Sequence, residues 1–285
     1  MRAVPRGRTV AALLAATASL TLGLTGAAGA AQLVGLGDSY AAGPLIPSQS
    51  LNPLGCLRSD HNYAHLAAAQ LGKSLSDVSC SGATTADMTA AQDVTPGPAN
   101  PPQLDALSAA TQTVTLSIGG NDIGFTSIIE NCASASPFGT PCKDRYDSGG
   151  VDQLAARIDA TAPKVAAVLQ GIHARAPSAR VLVIAYEPIL PETGSGCWPQ
   201  VPLAWNDVPY LRATEKRLNT MLATVAAANG ARYVDTYSAA IGHDACKSSS
   251  VRWVEPLVPG NTAAPFHPNA RGMAGVTPTI VAAAS

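Results

Sequence analysis

Short apolar segments of strand length alternate along this chain with longer segments of helical length. The clearest strand is predicted at residues 180–186, because nearly every position is apolar, as in a strand buried on both faces. Further strands are predicted at residues 32–37, 75–80, 112–118 and 231–235. Helices are predicted at residues 62–71, 152–175, 208–229 and 270–284, with a break or kink of the second one at Pro163. This alternation indicates an α/β fold, in which parallel strands are joined by crossover helices on both faces of the sheet.

The first 30 residues have the features of a secretory signal peptide. A basic start with Arg2, Arg6 and Arg8 precedes the apolar residues 9–28, and Ala28-Gly29-Ala30 has the pattern of a cleavage site. An uncleaved membrane anchor is the alternative, since the apolar run is nearly long enough to span a bilayer. The Ala, Thr and Gly content of the run favours cleavage. We therefore predict a secreted, extracellular protein without stable membrane insertion.

Removal of residues 1–30 would leave one domain at residues 31–285, which is long enough for a single α/β core. Neither an internal repeat nor a Ser/Pro-rich linker divides this part of the chain. The whole chain has 18 basic and 19 acidic residues, and the first 30 residues hold three of the basic ones and none of the acidic ones. The remaining weak acidity argues against a nucleic-acid partner, which requires a basic surface. We expect a monomer.

The domain contains an even number of cysteines, which in an exported chain indicates disulfide bonds. They are Cys56, Cys80, Cys132, Cys142, Cys197 and Cys246. Cys132 and Cys142 are the easiest pair because they would close a short loop, but fifteen pairings are open to six cysteines. A zinc site is the alternative, although no Cys-x-x-Cys motif and no paired histidine spacing supports it. No phosphate-binding glycine loop is present either, so we predict no metal ion and no cofactor.

Three short motifs each follow a predicted strand. Gly37-Asp38-Ser39-Tyr40 follows the first, Gly82 follows the second, and Gly119-Gly120-Asn121-Asp122 follows the third. Each motif alone would fit an ordinary turn, because Gly, Asn and Asp favour turns. In a parallel sheet, however, the carboxyl ends of the strands meet at the edge where ligands bind. The sequence therefore predicts that Ser39, Gly82 and Asn121 lie close together.

These residue types are suited to the cleavage of an acyl ester. A serine hydroxyl becomes a nucleophile when a base takes its proton, and His267 in a late loop is the candidate base. The backbone N–H of Gly82 and the side-chain amide of Asn121 could stabilise the negative charge on the carbonyl oxygen. His61 and His243 also lie in predicted loops and are reserve candidates for the base.

The four motifs Gly37-Asp38-Ser39-Tyr40, Gly82, Gly119-Gly120-Asn121-Asp122 and His267-Pro268-Asn269 together resemble those of the SGNH hydrolases, also called GDSL esterases and lipases. The resemblance covers essentially all of residues 31–285. It implies a three-layer α/β/α sandwich with a flavodoxin-like parallel sheet. It also implies that Ser39 is the nucleophile and that its N–H joins Gly82 and Asn121 in the oxyanion hole.

The stretch that begins at Trp253 and the six cysteines further resemble the secreted actinobacterial lipase and esterase branch of this family. That resemblance implies three disulfides paired in sequence order. The expected pairs are Cys56–Cys80, Cys132–Cys142 and Cys197–Cys246.

One position departs from the motif of many family members, which have an aspartate three residues before the histidine. Ala264 occupies that position here. The imidazole still needs a partner that fixes its tautomer and orientation. We expect a Ser39–His267 dyad in which the carbonyl of Ala264 orients the ring, and Asp244 and Glu255 are the alternative carboxylates.

The sequence thus predicts a secreted carboxylic-ester hydrolase that acts through an acyl-enzyme on lipids or other acyl esters. Trp198, Trp205 and Trp253 are candidates for an acyl slot, or else they pack loops against the sheet. A phospholipase or a carbohydrate deacetylase on the same scaffold is an alternative, and the deacetylase would require a shallow polar cleft. A non-catalytic secreted binding domain is the alternative from another class of protein.

Overall fold

The computed structural model describes residues 1–4 and 31–285. The strands are β1 (Leu33–Gly37), β2 (Leu75–Asp77), β3 (Thr113–Ser117), β4 (Asp147–Ser148), β5 (Val151–Asp152), β6 (Arg180–Ile184) and β7 (Arg232–Val234). The helices are α1 (Ser39–Ala42), α2 (Tyr63–Leu71), α3 (Phe125–Cys132), α4 (Pro141–Tyr146), α5 (Gln153–Arg175), α6 (Val208–Ala228), α7 (Thr236–Ala239) and α8 (Ala270–Ala284). The strands β1, β2, β3, β6 and β7 fall within the five predicted ranges and are shorter than predicted, whereas β4 and β5 were not predicted.

Five parallel strands form the central sheet in the order β2-β1-β3-β6-β7. This is the order of flavodoxin-like sheets, and it confirms the predicted fold class. The point where the order reverses lies between β1 and β3, and in such folds this is where the ligand crevice opens. The strands β4 and β5 form a separate small antiparallel pair.

Helices cover both faces of the sheet, and the side chains of β6 show how the two faces alternate. Val181 and Val183 belong to the apolar core under α5 and α6. Leu182 and Ile184 belong to the core under α2 and α8. The strand is therefore buried on both sides, which explains why its sequence is almost continuously apolar.

Pro163 does not break the helix that was predicted over residues 152–175, because α5 runs without interruption from Gln153 to Arg175. The proline is exposed, so the backbone hydrogen bond that it removes lies on the solvent side. The opposite face of α5 is buried from Leu154 to Ile172. Burial of that apolar face holds the helix together across the proline.

All six cysteines form disulfides, and the pairing is the expected one: Cys56–Cys80, Cys132–Cys142 and Cys197–Cys246. The Cys132–Cys142 bond joins the end of α3 to the first turn of α4, and the other two bonds join segments that lie outside these helices and strands. No described helix is both long and apolar enough to cross a membrane. The signal peptide predicted for residues 1–30 falls almost entirely outside the described residues, and it remains a prediction, as does the monomeric state.

Gly37 should be the glycine of the sheet that is least tolerant of substitution. Its φ is +140°, and a Cβ there would lie 2.4 Å from the carbonyl oxygen of Ser117. We expect Gly37→Ala to lower the free energy of unfolding by about 2 kcal/mol or more, because both the backbone conformation and the contact are unfavourable. Denaturant unfolding with the disulfides intact measures this change.

Gly149→Ala is the matched control, because Gly149 also has a positive φ (+67°) but a Cβ there would meet open space. Gly149→Ala should lower the free energy of unfolding by only about 1 kcal/mol. Equal destabilisation by the two variants would show that the contact with Ser117 does not matter.

Candidate active site

Ser39 is positioned by the turn that follows β1. The N–H of Asp38 donates to the carbonyl of Ser117 at 2.9 Å, which keeps the chain beside β3. The Asp38 carboxylate then accepts the N–H of Tyr40 at 2.9 Å and caps the short helix α1. Ser39 is consequently the first residue of α1, at the carboxyl edge of the sheet.

His267 meets Ser39 across 228 positions of the sequence. Its Nε2 lies 2.8 Å from Ser39 Oγ, and its Nδ1 lies 2.7 Å from the carbonyl oxygen of Pro265. A proton on Nδ1 donates to that carbonyl, so Nε2 presents a lone pair to the serine hydroxyl. The arrangement suits the transfer of a proton from Ser39 to His267.

The expected orienting group needs a correction, because the imidazole contacts the carbonyl of Pro265 and not that of Ala264. The Ala264 carbonyl instead accepts the backbone N–H of His267 at 3.2 Å, which closes a turn. That turn occupies the Ala264 carbonyl and leaves the next one to face the ring. A sequence cannot distinguish two adjacent carbonyls, since the choice depends on backbone torsion angles.

Neither alternative carboxylate hydrogen bonds to His267. Asp244 accepts the N–H of Cys246 at 3.0 Å. Glu255 accepts hydrogen bonds from Arg252, from the backbone and side chain of Asn261, and from other groups around it. Burial opposes its ionisation, but these hydrogen bonds hold the pKa of Glu255 at about 2. The carboxylate thus serves to organise the loop that carries His267.

The backbone of this loop also holds the histidine. Glu255 donates its N–H to the carbonyl of His267 and accepts the N–H of Phe266, both at 3.0 Å. The Tyr40 hydroxyl donates to the carbonyl of Phe266 at 2.8 Å, which links α1 directly to the histidine loop. Phe266 has a φ of +60°, a strained conformation for a residue other than glycine. These bonds stabilise the strained turn that presents the imidazole to Ser39.

Gly82 and Asn121 lie at the same edge of the sheet. The N–H of Cys80 donates to the carbonyl of Gly37 at 3.0 Å, so the turn that contains Gly82 follows the end of β1. Asn121 Nδ2 donates one hydrogen to the carbonyl of Ala83 at 2.9 Å, which leaves its second hydrogen available. Within the described part of the chain, the N–H groups of Ser39 and Gly82 have no acceptor. At the edge of the sheet that carries Ser39, three N–H donors are therefore free of protein acceptors among the described residues.

A buried network behind Ser39 was not found from the sequence. The Tyr186 hydroxyl donates to Asp38 Oδ2 and accepts the N–H of Gly120 at 2.8 Å. Burial raises the pKa of Asp38 to about 7, against the opposing effect of the hydrogen bonds from Tyr186 and Tyr40. The network joins the first and third motifs. Its only sequence signal was a tyrosine at the end of the apolar strand at residues 180–186.

An apolar cavity of about 80 Å³ opens beside this site, and Tyr40, Gly120 and Phe266 contribute to its wall. Its other walls are mainly aliphatic and come from α3, from α6 and from the loops that precede these two helices. They include Ile123, Ile128, Ile129, Ile189, Leu203 and Leu218. A cavity of this composition is suited to an apolar chain.

The three tryptophans do not line the cavity. Trp198 Nε1 donates to the carbonyl of Ser134 at 3.0 Å. Trp205 packs edge-on against Phe138 near the surface, and Trp253 stacks on His243. The alternative that these side chains pack loops is therefore the one observed. Among residues 1–4 and 31–285, no group of three or more His, Cys, Asp or Glu side chains is arranged to hold a metal ion.

A five-stranded parallel α/β/α sandwich with a serine–histidine pair at its carboxyl edge defines the class of SGNH-type ester hydrolases. Residues 36–274 match the GDSL-like Lipase/Acylhydrolase family, and the chain belongs to this family. This confirms the resemblance identified from the four motifs.

Relatives and solved structures agree with this assignment. Lipase 2 of Streptomyces coelicolor is 44% identical to this chain over 281 residues, which cover 93% of this chain and 92% of that protein. The phospholipase A1 of Streptomyces albidoflavus NA297 has a TM-score of 0.74 at 28% identity, over 89% of this chain and 99% of that one. An extracellular lipase from Streptomyces rimosus has a TM-score of 0.69 at 27% identity, over 88% and 98%. The protein is accordingly a carboxylic-ester hydrolase, and the alternative of a non-catalytic binding domain is set aside.

The pH dependence of activity should reflect the environment of His267. Burial lowers the pKa of the imidazole below 6.5, and the hydrogen bond to Pro265 opposes this effect only partly. A base must be neutral to accept a proton, and a lowered pKa keeps it neutral at more acidic pH. We therefore expect kcat/KM for a short soluble ester to fall only below pH 6.5. An acidic midpoint above pH 6.5 would contradict the expectation that His267 sets the acidic limb of the profile.

Proposed function

We propose that Ser39 is the nucleophile of this hydrolase and that His267 is its general base. The 2.8 Å contact between Ser39 Oγ and His267 Nε2 carries this proposal. The carbonyl of Pro265 takes the orienting position that a carboxylate has in a triad. Without a nearby carboxylate the imidazolium is less stabilised, which agrees with the lowered pKa of His267.

The reaction proceeds in two halves through an acyl-enzyme. Ser39 Oγ forms a bond to the carbonyl carbon as its proton passes to His267 Nε2. The oxyanion accepts hydrogen bonds from the N–H groups of Ser39 and Gly82 and from the amide of Asn121. When this tetrahedral intermediate collapses, the bond between the carbonyl carbon and the alcohol oxygen breaks, and the alcohol oxygen takes the proton from His267 Nε2. Water then adds to the acyl carbon as His267 Nε2 takes one of its protons, and the Ser39–acyl bond breaks as Nε2 returns that proton to Oγ and the acid leaves.

We further propose that the apolar cavity binds the acyl chain of the substrate. Tyr40, Gly120 and Phe266 line the cavity, and each is adjacent in sequence to a residue of the site, namely Ser39, Asn121 or His267. An acyl chain that leaves the reacting carbon can therefore enter the cavity directly. An apolar cavity favours lipids and other long-chain esters as substrates. A carbohydrate deacetylase would instead require a polar cleft.

The features of an exported enzyme support secretion as part of this proposal. The chain contains three disulfides. Disulfides form and persist mainly in oxidising compartments outside the cytosol. The relative from Streptomyces rimosus is described as an extracellular lipase. Together with the basic and apolar features of residues 1–30, these observations support an enzyme that acts outside the cell.

Removal of either member of the dyad should abolish most of the turnover. We expect Ser39→Ala and His267→Ala each to lower kcat by on the order of a thousandfold or more, because the attacking group or its base is lost. Hydrolysis of p-nitrophenyl acetate by the purified protein measures the effect.

Asp244→Asn is the matched control, because Asp244 is a buried carboxylate on a neighbouring loop that does not hydrogen bond to His267. It should keep kcat close to that of the wild type. A loss of kcat in this variant comparable to that of His267→Ala would show that the site is a triad and not a dyad.

A bulkier side chain in the cavity should shorten the preferred acyl chain. Ile129 is a half-buried member of the lining, so Ile129→Trp can fill the cavity with little disturbance of the core. If two methylene groups are excluded, kcat/KM for p-nitrophenyl octanoate should fall about tenfold relative to the acetate. Val151→Trp adds the same bulk at an exposed position outside the cavity, and it should leave this ratio unchanged.

A further inference from the structure

The cavity wall contains few polar side-chain atoms, and nearly all of them already have partners. The Tyr40 hydroxyl donates to Phe266, and the Tyr186 hydroxyl bonds to Asp38 and Gly120. Thr214 Oγ1 donates to the carbonyl of Tyr210 at 3.1 Å, a residue of the same helix. These hydroxyl groups already hydrogen bond within the protein, and none of them is charged.

Glu215 of α6 is the exception. Its Oε1 accepts the N–H of Ile189 at 3.1 Å, but its Oε2 is buried and has no hydrogen-bond partner among the described residues. Glu215 is also the only acidic residue that lines the cavity, as far as the described chain extends. A buried carboxyl oxygen without a partner is energetically unfavourable, so its presence in an otherwise apolar wall needs an explanation.

The charged groups around Glu215 do not neutralise it. Lys216 pairs with Glu192, and Arg212 donates to the carbonyl of Gly194 at 2.6 Å. Burial raises the pKa of Glu215 to about 8, and the nearby Glu192 acts in the same direction. The hydrogen bond from Ile189 and the charges of Lys216 and Arg212 act in the opposite direction but do not outweigh burial. The carboxyl group is therefore mostly neutral at pH 7 and becomes charged as the pH rises through about 8.

We propose that Glu215 is a specificity-determining residue for the acyl group, since its carboxyl limits how deeply an apolar chain can enter the cavity. This inference rests on the proposed role of the cavity as the acyl site. Oε2 is already out of contact with water, and an apolar chain that fills the cavity beside it offers no hydrogen bond and keeps water away from the surroundings of the carboxyl, which disfavours the longest chains. A charged carboxylate disfavours them much more, because an isolated charge is far more costly to bury than a neutral group.

Two different substitutions separate the effect of polarity from that of charge. Glu215→Gln keeps an oxygen that can accept the Ile189 N–H and keeps a polar group in place of Oε2, but it does not titrate. Glu215→Leu removes both the polarity and the charge. Tyr40 and Tyr237 interact electrostatically with the carboxyl of Glu215. Burial raises the pKa of each tyrosine well above that of free tyrosine, so neither titrates near pH 8.

The measured quantity is the ratio of kcat/KM for p-nitrophenyl octanoate to that for p-nitrophenyl acetate, from pH 6 to 9.5. The titration of His267 affects both esters and cancels in the ratio. For the wild type, we expect the ratio to fall as the pH passes through about 8. Glu215→Gln should abolish this fall without raising the ratio at pH 7. Glu215→Leu should abolish it and raise the ratio at pH 7 by about tenfold, because the longer chain then packs against an apolar side chain in place of a polar group.

The variant Ile129→Trp distinguishes failure of this inference from failure of the proposed acyl site. If Ile129→Trp lowers the ratio while both Glu215 variants keep the wild-type ratio and its pH dependence, Glu215 has no role in selection and the acyl site stands. If Ile129→Trp leaves the ratio unchanged, the cavity is not the acyl site and both proposals are wrong. Thermal unfolding of the Glu215 variants controls for loss of structure, and Glu215→Gln retains the test if Glu215→Leu does not fold.

Discussion

One hydrogen bond, between Ser39 Oγ and His267 Nε2, is the interaction on which the site depends. It joins the first residue of α1 to a loop that lies 228 positions further along the chain, so nothing local can maintain it. The parallel sheet places the end of β1 at the carboxyl edge, and Tyr40 binds the histidine loop at Phe266. Pro44, just beyond α1, accepts the N–H of Ala264 at 3.0 Å and adds a second link. The pair is therefore preorganised by the fold, and this lowers the cost of reaching the reactive geometry.

The buried carboxyl groups of this protein divide into two kinds according to their partners. Glu255 is surrounded by donors and has a pKa of about 2, so it acts as a permanent anion that organises the histidine loop. Asp38, Glu187 and Glu215 are desolvated without a paired cation, and their pKa values rise to about 7 or 8. The same residue type thus provides a fixed charge in one place and a neutral, titratable group in another. The difference is that Glu255 pairs with Arg252 and accepts several further hydrogen bonds, whereas the other three carboxyl groups have no such cation among the described residues.

Much of the site could be predicted because its chemistry is carried by short motifs that follow strands. Ser39 comes two residues after β1 and Asn121 comes four residues after β3, so a parallel sheet alone brings them to one edge. Gly82 reaches the same edge because the backbone N–H of Cys80 hydrogen bonds to the carbonyl of Gly37 at the end of β1. Three features were not predictable in the same way: the carbonyl that contacts His267 Nδ1, the Tyr186 network and the polar atom in the wall of the apolar cavity. Each of them depends on torsion angles or on contacts between distant segments, which leave no pattern in the sequence.

The amino-acid sequence by itself determined the fold class, the identity of the candidate nucleophile and base, and the disulfide pairs that the family resemblance implied. It could do so because hydrophobic periodicity and strand-end motifs are local properties. Only the tertiary structure decided that Pro265 and not Ala264 orients the imidazole, that the tryptophans pack loops and that aliphatic side chains of α3 and α6 form the cavity. These outcomes are set by which surfaces meet when the layers pack. A contact between residues far apart in the chain exists only once the core has closed around it.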